Sequence, residues 1–301
     1  MGRLLIGVIL LVAMADGASA RDIYVNNLEG DDHHNGAAPN TRLQGAGPCK
    51  TIYKALRLAE KGDRIIISNT GQPYKEAISL QGGRHSGYID QPFTIVGNGA
   101  VLDGTTEVPV EDWQSMGQGL FRVRPAGLSY QQLFLDDRPA ARRKLTPSGS
   151  LPKLAPRQWY MHAGHIYFRV EKGKIPLDYH LSYSSLSVGI TLYDVRNVLI
   201  EDLVIQGYQL DGINAVDNAF EVSLVGMNCR GNGRCGISIG GASRVSIGAS
   251  LIGNNGTAQV RTEGWSHTKI INCDLLANTA PAVVREGGEV LVVKGPQQQA
   301  K

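Results

Sequence analysis

Aromatic residues make up only 6% of this chain and charged residues only 19%, whereas glycine occupies 37 of its 301 positions. So few large rings among so many glycines disfavour a helical bundle and favour many short strands joined by tight turns. Beyond the first twenty residues no apolar run is long enough to cross a bilayer, which excludes a membrane span from the rest of the chain. No basic stripe interleaved with aromatics occurs, and the formal net charge is +3, so no nucleic-acid partner is expected. The four cysteines show no C-x-x-C spacing and no neighbouring histidine pair, which leaves zinc without a ligand set. What remains is an apolar content of 42%, enough for a sizeable core.

Residues 1–20 have the organisation of a secretory leader: Arg3, then the apolar stretch Leu4–Met14, then Ala18-Ser19-Ala20 as a small-residue cleavage site. The mature chain is therefore expected to begin at Arg21 and to act in the periplasm, at the cell surface or outside the cell. Such a compartment permits disulfides, and Cys229 and Cys235 bracket the glycine-rich stretch Arg230-Gly231-Asn232-Gly233-Arg234, a candidate for a loop-closing bridge. Asn255-Gly256-Thr257 matches the N-glycosylation acceptor.

From Gly189 onward the chain repeats every 23 or 24 residues. One apolar column runs Ile190, Ile213, Ile237, Val260, Val283; a second runs Ile200, Leu224, Ile247, Ile271; a third runs Ile205, Cys229, Ile252, Leu276. Gly207, Gly231, Asn254 and Asn278 follow the third column as turn residues. Three short strands per period cannot bury their inward residues alone, but stacked coils can, each strand pairing with its equivalent one coil away. The pattern predicts an all-β, single-stranded parallel β-helix over 21–301, with a cap region at 21–68, an irregular insertion at 111–187 and regular coils at 189–293. Within the cap, Thr51–Glu60 reads as a helix presenting Ile52, Ala55, Leu56 and Ala59 on one face. The C-terminal end shows no comparable cap, which leaves an open edge for a homo-oligomer.

Several segments carry a family resemblance: Ile23-Tyr24-Val25, Gly30-Asp31-Asp32 with Asn35-Gly36, Lys50-Thr51-Ile52, Lys61-Gly62-Asp63-Arg64-Ile65 and Phe93-Thr94-Ile95-Val96-Gly97 with Leu102-Asp103-Gly104. Together with the hairpin pattern of Gln158-Trp159-Tyr160 and His165–Val170, they resemble secreted right-handed β-helix proteins of the pectate-lyase-like superfamily. That group includes lyases, glycosidases, epimerases and proteins without demonstrated activity. The resemblance implies a polysaccharide ligand lying along the first strand of each coil.

The outward residues of that strand are Thr191, Asn214, Ser238, Arg261 and Val284, followed two positions later by Tyr193, Val216, Gly240, Glu263 and Glu286. Asp194 and Asp217 come next, one coil apart, at about the 5–5.5 Å carboxyl separation of a retaining glycosidase, and the same pair is the candidate calcium site. Arg261 with Glu263 suits a calcium-assisted uronate lyase, an outward guanidinium neutralising a uronate. Asn214, Arg234, His267, Trp159, Arg142 and Arg143 are the candidate substrate contacts, because aromatic faces stack on sugar rings and arginines fork onto carboxylates. Glycosidase chemistry by Asp194 and Asp217 leads, the lyase follows, and a non-catalytic glycan-binding or cell-surface module is the alternative.

Overall fold

The computed structural model describes residues 20–41, 45–127, 129–145 and 151–294. Residues 1–19 of the expected leader and the polar tail Gln297–Gln299 lie outside them. No helix among the described residues is long and apolar enough to cross a membrane.

Strands stack in parallel, coil upon coil. The first sheet runs Ile78–Gln81, Ile190–Tyr193, Asp211–Val216, Cys235–Ile239, Ala258–Thr262, Val283–Arg285. Its inward column is the expected one, with Ile190 paired to Ile213, Ile213 to Ile237, Ile237 to Val260 and Val260 to Val283. The second and third sheets depart from expectation in one coil: Ile247 pairs with Ile270, not Ile271, and Ile252 pairs with Leu275, not Leu276. A one-residue slip moves a side chain to the other face. Ile270 is fully buried, whereas Ile271 is half-buried and Leu276 exposed.

The turns after the third sheet carry a polar ladder inside the coil. Asn232 donates through Nδ2 to Asn255 Oδ1 (3.1 Å), and Asn255 donates to Gln259 Oε1 (2.8 Å) and to the Cys229 carbonyl (3.1 Å). These amides satisfy buried backbone groups that sharp turns would otherwise orphan. The acceptor asparagine of the glycosylation motif, Asn255, is thus fully buried and unavailable in the folded chain.

The cap helix spans Ile52–Leu58, shorter at both ends than expected. Thr51 caps it by accepting from Lys54 N–H, and Glu76 receives the Ile52 and Tyr53 amides at 3.0 and 2.9 Å. Ile52, Ala55, Leu56 and Ala59 join the main core. His85 ties this helix to the first sheet: its Nε2–H donates to the Leu56 carbonyl, and its Nδ1 accepts from Gln81 N–H, both at 3.0 Å. Desolvation holds the imidazole below its ordinary pKa, the Leu56 carbonyl opposing and Arg84 assisting. The unfolded chain therefore binds the proton more readily. The stabilisation is complete above about pH 6.5 and is lost as pH falls toward the depressed folded value. Urea midpoints at pH 7.5 and 5.5 should differ less in His85→Gln than in the parent; an unchanged difference would remove His85 as a source of the dependence.

The insertion is more than a hairpin. Gln158–His162 and His165–Arg169 do pair antiparallel, but they sit within a five-stranded sheet, beside a second sheet of four strands. It leans on the third turns: a Cβ at Gly231 would meet Pro139 and Phe134, and one at Gly233 would meet the Tyr130 carbonyl.

No disulfide joins Cys229 to Cys235. Cys229 is an inward residue of the third column, paired to Ile205 and Ile252, while Cys235 lies in the first sheet against Thr257. Burial pushes the Cys229 thiol up to about 12 and those of Cys49 and Cys235 up to about 11. Thiolates are the reactive species, so at pH 8 at most one thiol equivalent should titrate in the folded protein, that of half-buried Cys273, and four in guanidinium. Only two in guanidinium would reveal a bridge.

Candidate functional site

The outward row of the first sheet is a continuous polar strip. Thr191 pairs with Ser79 and Asn214, Asn214 with Ser238, Ser238 with Arg261 and Arg261 with Val284. Side chains alternate along a strand, so Glu263 returns to the same side as Arg261.

Arg261 organises the far end of the strip. Its Nη2 donates to Glu263 Oε2 at 2.6 Å and also to Glu286 Oε2, which accepts from Nε at 3.0 Å as well. Two carboxylate oxygens on one nitrogen can be no further apart than two charge-assisted hydrogen bonds, roughly 5–6 Å. The glutamates come from adjacent coils and remain half-open to solvent, at 42% and 52% side-chain exposure, while Arg261 is covered to 18%. Glu286, then desolvation in the opposite sense, then Glu263 act on the guanidinium, whose pKa is raised overall. A Cβ at position 240 would come within 3.0 Å of Glu263 Oε1, so Gly240 leaves the space that this carboxylate occupies.

At the insertion side of the strip, Arg234 forks onto Asp211, Nε to Oδ1 at 3.0 Å and Nη2 to Oδ2 at 2.5 Å. The aspartate side chain is completely buried and the arginine 26% exposed. Arg234 is thus a paired structural cation at the rim, its pKa raised chiefly by that bond. Asn214 lies between the two clusters, half-buried.

Asp194 and Asp217 occupy the turns that leave the first sheet, with φ of 52° and 58°. Gly241 and Gly264 take the same left-handed conformation in the following coils, at 62° and 65°. Aspartate is among the residues that tolerate it. Both side chains are exposed, and the Asp194 carboxylate lies against Gly82, on the coil opposite to Asp217. Asp194 instead borders a pocket of about 600 Å³ with Lys61, Tyr88, Asp90 and Arg196. Among the described residues no three His, Cys, Asp or Glu side chains cluster as metal ligands. Two carboxylates alone fall short of the six to eight oxygens that calcium takes.

Other expected contacts lie elsewhere. Trp159 is fully buried in the core of the insertion, its Nε1–H donating to the Ala140 carbonyl at 3.1 Å, so it offers no face to a sugar. Tyr160, Tyr167 and Phe168 are buried too, Phe168 in the same cluster as Trp159 and Tyr160 with Tyr167 against Leu154 on the opposite face of the hairpin. Arg142 stacks over the Trp159 ring at 5.0 Å, and Arg143 binds Gln158 Oε1 at 3.1 Å. His267 faces the second sheet, paired to Glu289 at 3.2 Å, inside a groove of about 1240 Å³ that also includes Arg244 and Lys269. Glu286, Asp211 and Trp265 were given no role from the sequence, although Glu286 stands in the same outward column as Glu263. The first two emerge when residues one coil apart are written side by side.

Residues 179–297 match the family model described as "Right handed beta helix region". The chain is a right-handed parallel β-helix. A solved structure described as a glycoside hydrolase shares the fold with a TM-score of 0.63 at 11% identity, over 84% of this chain and 73% of that one. The complex of XylC with xylose aligns at a TM-score of 0.45 and 11% identity, over 90% and 70% of the two chains. The GH136 lacto-N-biosidase from Eubacterium ramulus aligns at 0.43 and 14%, over 83% of this chain and 43% of that one. No curated protein matches. At such identities the likeness is one of fold.

Proposed function

We propose that this β-helix is an exported glycoside hydrolase acting on a polysaccharide laid along the first sheet, with Glu263 and Glu286 as its carboxylate pair. One observation carries the reading: both carboxylates, from adjacent coils of the solvent-facing strip, meet on a single guanidinium nitrogen. That holds them within about the 5–5.5 Å used for hydrolysis with retention, where one carboxyl attacks the anomeric carbon and the other protonates the leaving oxygen. Glu263, braced over Gly240, is assigned the attack, and the more exposed Glu286 the proton transfer, for which it takes up a proton from solvent and gives up its Arg261 contact. Arg261 then positions both. It is a poor base, since a guanidinium keeps its proton, and here it is tied to two anions.

Asp194 with Asp217 is the competing pair, favoured by the pocket beside Asp194 and weakened because the Asp194 carboxylate leans toward the coil of Gly82, away from that of Asp217. The purified protein should release reducing ends from at least one member of a polysaccharide panel without forming unsaturated uronides. Unsaturated product would overturn hydrolysis in favour of elimination. Silence on a folded sample would leave a glycan-binding module.

A further inference from the structure

We infer that Trp265 is the sugar-stacking platform of a binding subsite at the corner between the first and second sheets, taking the flat face of a pyranose ring; this rests on the polysaccharide reading above. Trp265 is 85% exposed. The other two tryptophans are enclosed: Trp159 completely and Trp113 in part, both against the insertion core. The backbone under Trp265 is fixed, its N–H donating to the Gly241 carbonyl at 2.8 Å, and Gly264 precedes it at φ +65°.

The neighbouring coils leave the ring uncovered. The registers pairing His267 with Arg244 on one side and with Glu289 on the other bring Ala242 and Gly287 to the equivalent positions. At Gly287 even a Cβ would crowd the Gly264 backbone, 2.7 Å from its nitrogen. Both flanks of the indole are thereby kept small. An aromatic that served the fold would be packed; this one projects from a tight turn with space beside it. It also stands two residues beyond Glu263, in the turn that follows that carboxylate. An aromatic face in a turn that follows a carboxylate suits a ligand with C–H groups on one side and hydroxyls around its edge, which describes a pyranose.

Intrinsic fluorescence tests this directly, because Trp265 is the most exposed of the three indoles. Xylotetraose, cellotetraose, chitotetraose and trigalacturonate would each be titrated into the purified protein. At least one is expected to change the emission saturably, and Trp265→Phe should abolish that change while retaining part of the affinity. Trp265→Ala should weaken binding by roughly tenfold, the scale of one aromatic contact, and raise KM by a similar factor with kcat held within about twofold. The Glu263→Gln/Glu286→Gln protein should keep the fluorescence response, so a failure of the hydrolase assignment is separable from a failure of the platform. Emission unmoved by all four sugars, or a response that survives in Trp265→Phe, would overturn the proposal.

Discussion

Replacing Glu263 or Glu286 by glutamine should lower turnover by about 10²–10⁴-fold, the range for loss of one catalytic acid or base, while the β-helix stays folded. Both side chains are half-open to solvent, so the isosteric amide disturbs little packing. Each substitution also leaves Arg261 with one carboxylate partner rather than none. Asp194→Asn and Asp217→Asn should stay near the parent rate, because neither carboxylate belongs to the Arg261 cluster to which the chemistry is assigned. The decisive comparison is initial rate at saturating polysaccharide, with circular dichroism as the fold control. Equal losses at the aspartates would move the chemistry to the turns beside Tyr88 and Lys61, where the smaller pocket lies.

The second large effect is on stability. Arg234→Ala should cost about 3 kcal/mol, the lower end of the range for breaking a buried ion pair, because it strands the fully buried Asp211 carboxylate. The lower end applies because a quarter of the arginine side chain is exposed. Truncating both partners, Asp211→Ala with Arg234→Ala, should recover part of that loss, since no buried charge then remains unpaired. Urea unfolding of the three variants closes a double-mutant cycle. If the single Arg234→Ala variant unfolds within about 0.5 kcal/mol of the parent, as surface substitutions do, the bridge is only a surface pair.

The coil was legible because its inward residues repeat once per turn of the solenoid, and the first-sheet register follows from the isoleucine column directly. The slip came where two neighbours are both apolar: Ile270-Ile271 and Leu275-Leu276 offer equal hydrophobicity to either face, and only pairing chooses between them. The tryptophans were misread for a related reason. The sequence marks the hairpin as aromatic but does not show that both of its faces are covered, so Trp159 was taken for a surface. Trp265 sits in a turn, where no alternation applies. Cys229 was offered as a bridge partner of Cys235 although it also stood in the third apolar column, and it is the column position that the structure bears out. The Arg261 cluster was half-visible: Glu263 shares its strand, whereas Glu286 becomes a neighbour only through stacking.

The most direct test of the account is covalent. A 2-deoxy-2-fluoro glycoside of the sugar that the panel identifies should trap the glycosyl ester of a retaining hydrolase. Peptide mass spectrometry then locates it. The carboxylate geometry predicts one label, on Glu263, absent from Glu263→Gln. A label on Asp194 or Asp217, or an active enzyme that forms no ester, would contradict the assignment of the chemistry to the Arg261 cluster.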